Sequence, residues 1–303
     1  MVDAIRYPGL HASGELARRA ASALRLLESC RVCPHECEVD RTAGELGICG
    51  AGLLPSVASF GPHHGEERPL VGAGGSGTVF FTHCTLRCVF CQNFDISQRA
   101  SGDVLSIHEL AEVFGKVQAM GCENINLVSP THYTPQILSA VDIAAGEGVT
   151  LPLVWNTSGY ESLETLALLD GVVDIYMPDV KYAEPETADR LSGARDYPAR
   201  AFAALREMHR QVGELQMDAR GVATRGLLVR HLVLPGGLAG TAEVMRFVAR
   251  EISADTYVNV MAQYRPCFRS GEVPEIDRPI TTEEHAAALR LARESGLHRI
   301  DDG

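Results

Sequence analysis

Cys84, Cys88 and Cys91 stand within eight positions of one another in "CTLRCVFC", in a chain of 303 residues that holds nine cysteines. A structural zinc site normally closes with four ligands, so Cys-x3-Cys-x2-Cys would need a fourth group, with His83 the nearest candidate. A cubane [4Fe-4S] cluster has four irons, and three cysteines leave one iron without a protein ligand, open to a substrate or cofactor. A second set, Cys30, Cys33, Cys37 and Cys49, has the spacing Cys-x2-Cys-x3-Cys-x11-Cys with Pro34 and glycines around it. Four thiolates suffice to close a site, either a tetrahedral zinc clip or a second iron-sulfur cluster serving as an electron relay. Thiolate softness suits both metals. Cys122 and Cys267 read as small structural thiols. His63, His64, Glu66 and Glu67 form either a metal or acid-base group or a polar loop with a lid or substrate role.

These side chains need a scaffold, and the chain after residue 77 supplies an alternation of apolar, β-branched runs with helical stretches. The runs are "TVFF" (78–81), "NINLVS" (124–129), "LPLVWNT" (151–157), "VVDIYMPD" (172–179), "LLVRHLVL" (227–234) and "YVNVMAQY" (257–264). Between the first two, Ile107, Leu110, Ala111, Phe114, Val117 and Met120 keep helical spacing, Ser106 and Glu109 form a capping box, and Gly121 stops the helix. Further helices follow the later strands. Repeated βα units imply an α/β fold with a parallel sheet, either an open sheet or a barrel, with chemistry at the carboxyl ends of the strands. The three clustered cysteines follow the first strand, where a βα loop presents them at the mouth of the sheet. Residues 1–77 read as a separate unit: an N-terminal helix, the four-cysteine module and a Gly-rich connector. Residues 78–303 read as the second unit, closed by a C-terminal helix.

With its aromatic Phe90, "CTLRCVFC" resembles the Cys-x3-Cys-x2-Cys signature of radical S-adenosylmethionine enzymes. Other segments resemble the pyruvate formate-lyase activating enzymes: "VDIYMPDVKY" their Asp-x-Lys strand, with Asp179 and Lys181 matching; "VRHLVLPG" their Arg-x-x-x-x-Pro-Gly strand, with Arg230 matching; and "NTSGY" their Asp-Thr-Asn-Gly segment, with Gly159 at the turn. The resemblance spans about residues 78–265. It implies a partial (β/α)6 TIM-like barrel, a [4Fe-4S] cluster on Cys84, Cys88 and Cys91, and reductive cleavage of S-adenosylmethionine to a 5'-deoxyadenosyl radical that abstracts hydrogen. The implied cofactor-binding residues are Ser129, Pro130, Thr131, Asn156, Ser158, Asp179, Lys181, Arg230 and Arg265. Three departures stand out. "VSPTHY" replaces the Gly-Gly-Glu strand end, so the backbone of Ser129 to Thr131 takes its place. Asn156 replaces an aspartate, which removes one negative charge from a cation site, and Arg265 stands where the family has a histidine. The resemblance further implies a protein substrate and a one-electron donor such as flavodoxin or ferredoxin.

Composition narrows the classes. The formal charge of −12 argues against a nucleic-acid partner, which requires a concentrated basic surface. No run of eighteen apolar residues appears, and the opening "MVDAIRYPGLHASGE" lacks the basic and apolar regions of a signal peptide, which gives the expectation of a cytoplasmic chain without a membrane partner. Two other readings stay open: the same cofactor acting on a small molecule, and a zinc-binding α/β protein without catalytic activity.

Overall fold

The computed structural model describes residues 5–301. All six expected strands form, and they pair in parallel in one sheet. In chain order the strands are β1 (Ser56–His63), β2 (Ser76–Phe81), β3 (Asp103–Val104), β4 (Ile125–Val128), β5 (Leu153–Thr157), β6 (Ile175–Pro178), β7 (Gln216–Met217), β8 (Ala223–Leu232), β9 (Tyr257–Met261) and β10 (Arg299–Asp301). The sheet order is β10-β9-β8-β6-β5-β4-β2-β1-β3, with β7 pairing β8 to one side. From β2 to β10 the neighbours are parallel; β1 pairs antiparallel with β2 and β3. The six-stranded parallel core thus gains a seventh strand at one edge and an antiparallel pair at the other.

Two adjacent side chains show that the sheet curls. Glu66 Oε2 accepts from Asn126 Nδ2 on β4 (3.2 Å), and Glu67 Oε1 accepts from Asn259 Nδ2 on β9 (3.1 Å). β4 and β9 are four strand spacings apart, about 19 Å in a flat sheet. Neighbouring residues reach both only when the strands wrap around them, so the sheet is a partial barrel. Leu70 completes the filling, fully buried among Val154, Ile175, Met177 and Leu228 with Tyr257 packed against them. The edge strands β3 and β10 do not pair with each other, and the barrel is open along that side.

The helices cover the outside. Ile107–Ala119 begins with the expected capping box, Ser106 Oγ accepting from Glu109 N and Glu109 Oε2 accepting from Ser106 N, and Gly121 beyond its end has φ +78°. Gly77 on β2 lets this helix close on the sheet: a Cβ there would stand 2.2 Å from Val117. No described helix is long and apolar enough to cross a membrane.

The expected boundary at residue 77 falls inside β2, and the segment before it shares the barrel's core. Leu16, Ala20 and Ala23 of the helix Glu15–Arg25 belong to one buried cluster with Val79, Leu127, Trp155, Leu227 and Val258. The segment 61–77 is no simple connector, since it holds part of β1 and the turn that fills the lumen.

Candidate functional site

The loop after β2 carries Cys84, Cys88 and Cys91, and backbone bonds hold it against the end of the helix Pro185–Ser192: Arg87 N donates to Ser192 O (3.0 Å) and Val89 N to Leu191 O (2.9 Å). His83 enters the loop at φ +66°, a left-handed conformation that L-residues seldom adopt. Phe90 is buried edge-on against Tyr264 (5.7 Å) and Tyr182 (6.5 Å). Cys88 Sγ lies 2.9 Å from Ser192 Oγ, and Cys91 Sγ lies 3.1 Å from Ser97 Oγ. Burial first, then the neighbouring Cys88, pushes the Cys84 thiol up to about 12; burial also raises Cys88, with Lys181 opposing. A metal bound here would compensate the charge of the thiolates.

The other side of the same cavity, of about 250 Å3, is lined by Ser129, Asn156, Thr157, Ser158, Asp179, Lys181 and Arg230 from the carboxyl ends of β4, β5, β6 and β8. Asp179 is the centre of its electrostatics: Oδ1 accepts from Arg230 Nε (2.7 Å) and Oδ2 from Lys181 Nζ (2.7 Å). Arg230 Nη2 donates to Asn156 Oδ1 (2.7 Å), and its Nη1 lies 3.5 Å from Glu67 Oε1. Burial alone would raise the Asp179 carboxyl, but Arg230 and Lys181 overcome it and hold it at about 2. Lys181 and Arg230 are desolvated too, yet Asp179 drives both upward, so both stay cationic. The negative charge missing at Asn156 is therefore accompanied by a guanidinium bonded to both Asn156 and Asp179.

The remaining expected residues separate. Ser129 lines the cavity at φ +57°, the left-handed conformation glycine takes most readily. Pro130 is buried away from the cavity and its carbonyl accepts from Tyr133 N (2.8 Å); Thr131 O accepts from Thr134 Oγ1 (2.7 Å) and Thr131 Oγ1 donates to Glu161 (2.7 Å). Arg265 lies exposed beyond β9 and off the cavity, where Met261 and Gln263 stand instead, while its neighbour Tyr264 is buried. Gly159, at φ +77°, sits so close to β6 that a Cβ would be 3.0 Å from Asp179 O.

Three further residues support the site, two of them, Tyr197 and Glu161, with no signal in the sequence. Tyr197 OH shares its proton between Ser158 O (2.8 Å) and Asp179 O (2.7 Å) and accepts from Lys181 N (2.9 Å), tying the ends of β5 and β6 together. Glu161, fully buried behind the cavity, accepts from Thr131, Thr157 and Trp155 Nε1. Glu67 reaches Arg230 from the lumen. Only its pairing with Glu66 beside the first strand hinted at a role.

The four N-terminal cysteines are unpaired by disulfides; Cys30, Cys33 and Cys49 are buried and Cys37 half-buried. Cys37 Sγ accepts from Ile48 N (3.4 Å), and Gly47 is packed so tightly that a Cβ would meet Cys37 Sγ at 2.9 Å.

The sequence profile of the Radical SAM superfamily matches residues 78–215. An uncharacterized protein of Methanocaldococcus jannaschii is 33% identical over 288 residues, covering 92% of this chain and 79% of that protein. Among solved structures, SuiB of Streptococcus suis bound to precursor peptide SuiA matches with a TM-score of 0.48 at 12% identity, over 73% of this chain and 46% of SuiB. SuiB bound to S-adenosylmethionine gives 0.49 at 10%, over 72% and 47%. The chain spans about half the length of these two structures. Its cysteine loop, its parallel barrel strands and the matching profile make the chain a member of the radical SAM superfamily, which uses a [4Fe-4S] cluster and S-adenosylmethionine.

Proposed function

We propose that the protein cleaves S-adenosylmethionine reductively and uses the radical to take a hydrogen atom from a polypeptide, as the activating enzymes it resembles do. The observation that carries this reading is a single cavity joining the three thiols to the Asp179–Lys181–Arg230 cluster. Cys84, Cys88 and Cys91 would hold three irons of the cluster, and the fourth iron needs a ligand from outside the chain. Arg230 and Lys181 give the cavity fixed cations for a carboxylate, while Asn156, Ser158 and the backbone at Ser129 offer polar partners. Phe81, Leu86, Phe90, Ile96 and Met261 give the same cavity an apolar wall. When bound, the cluster and S-adenosylmethionine supply one-electron cleavage of the sulfonium and a carbon radical. The open side of the barrel supports a large substrate, and flavodoxin or ferredoxin is the class of donor we assign. Cys30, Cys33, Cys37 and Cys49 form a second metal site. Pro130 and Arg265 lie off the cavity, while Thr131 lines a small neighbouring space with Cys84, Ser129 and Ser158.

The test is oxygen-free purification, reduction, addition of S-adenosylmethionine and measurement of 5'-deoxyadenosine. The parent should form it and a C84A/C88A/C91A variant should not; a zinc-loaded parent that forms none would sink the enzyme reading. Adding candidate partner polypeptides should then yield a protein radical or a modified residue. 5'-Deoxyadenosine formation that only small molecules stimulate would replace the polypeptide reading.

A further inference from the structure

The four-cysteine module touches the radical-site loop twice. His35, two residues after Cys33, donates from Nε2 to the carbonyl of Thr85 (2.7 Å), the residue after Cys84. Gly50, next to Cys49, lies against the His83 ring, where an added Cβ would stand 3.2 Å from Cδ2, and His83 precedes Cys84. Each contact joins a residue within two positions of an N-terminal cysteine to a residue adjacent to Cys84. His35 also meets the Tyr160 ring edge-on at 5.1 Å, and Tyr160 stacks on the Tyr197 that ties Ser158 to Asp179. Fastening alone is already provided elsewhere: Thr165 Oγ1 donates to Val32 O (2.8 Å) and Arg41 Nη1 to His132 O (2.8 Å). The two contacts at the cysteine loop add proximity.

Position separates the metals. Zinc has no redox chemistry, whereas an iron-sulfur cluster on four thiolates exchanges single electrons, so only the cluster gives two contacts at the Cys84 loop an electron to transmit.

We propose that Cys30, Cys33, Cys37 and Cys49 hold an iron-sulfur cluster that passes single electrons to the radical site across the His35–Thr85 hydrogen bond and the Gly50–His83 contact. The identity of the acceptor rests on the proposed function; the metal does not. A low-potential one-electron carrier, or dithionite in vitro, reduces the N-terminal cluster by one electron. The same electron then leaves for the radical site, no bond forms or breaks in the relay, and His35 keeps its proton.

The first test counts iron and zinc in the oxygen-free parent and in the C84A/C88A/C91A variant, then records electron paramagnetic resonance after dithionite. The variant should keep about four irons per chain, and the parent about eight, without zinc, the variant showing a reduced-cluster signal. One zinc per chain in the variant overturns the cluster, and if that variant is insoluble, a parent with about four irons and one zinc overturns it equally. The second test removes dithionite, adds S-adenosylmethionine and follows the N-terminal signal by freeze-quench in the parent and in His35→Ala. Decay should slow at least tenfold in His35→Ala with iron content and initial signal unchanged; equal decay overturns the relay. Both readouts omit the polypeptide, so loss of the polypeptide reading moves neither. A parent that makes no 5'-deoxyadenosine refutes the proposed function and leaves the metal count to decide the cluster.

Discussion

At the scale of single residues, the site is governed by charges that the fold buries together. Asp179, Lys181 and Arg230 are only 18%, 15% and 16% exposed, so each needs the others. Asp179→Asn leaves two cations facing one remaining carboxylate, Glu67, and should lower stability by about 3–5 kcal/mol, read by urea unfolding. Because the folded Asp179 carboxyl sits at about 2, below its ordinary 3.8, its contribution is fully present above about pH 4. It fades as pH falls through 2, and amounts to about 2 kcal/mol. Glu161 poses a different case: one oxygen accepts from three donors and the other, Oε2, has no partner. Burial raises this carboxyl despite the donors. Glu161→Gln keeps an acceptor oxygen and should cost about 1 kcal/mol or less, whereas Glu161→Ala strands three buried donors and should cost about 3 kcal/mol or more. Equal losses for the two would show that the carboxyl group itself, which Gln lacks, and neither one acceptor oxygen nor volume, is what Glu161 provides. Asp179, Lys181 and Arg230 were legible because a family pattern surrounds them; Tyr197 and Glu161 were not, since their value lies in a neighbour distant in sequence, and Glu67 showed only as one of a polar cluster, without its partner Arg230.

At the scale of elements, strands read well where β-branched runs end at turns, as at "LPLVWNT" and "YVNVMAQY". β1 escaped because Gly61 and Pro62 sit inside it and its alternation is weak; its bonding to β2 overrides that local signal. β10 has three residues, too few to show a period. Strand register carries a titratable group of its own. Asp174, at the start of β6, accepts from Leu153 N on β5 (3.0 Å), and burial pushes it up to about 7 against that bond and against Arg6 and Arg225. A raised carboxyl means that the folded chain holds a proton the unfolded chain has already released. Stability should therefore fall as pH rises from about 4 to about 7, by up to about 4 kcal/mol from this group. Asp174→Asn should flatten that fall in thermal melts taken across the range. A parent profile flat between pH 4 and 7 would show that Asp174 is ionised in the fold.

At the scale of the whole molecule, the sequence suggested two units meeting at residue 77, on the strength of a change in composition. Composition does not report which apolar faces meet. Leu16, Ala20 and Ala23 are buried in the cluster that also holds Val79 and Trp155, and β1 is hydrogen-bonded to β2 along its length. Units that share a core have no separate core with which to fold alone. Denaturant should therefore produce one transition, reported identically by Trp155 fluorescence, which sits in the barrel, and by a probe placed on the N-terminal helix at exposed Arg18. Leu16→Ala removes a fully buried side chain from that shared core, and its cost of about 2–5 kcal/mol should move both probes together. A midpoint that shifts for the helix probe alone would restore the boundary at 77. Coincident shifts would mean that the module carrying Cys30, Cys33, Cys37 and Cys49 is held against the radical-site loop by the stability of the entire barrel.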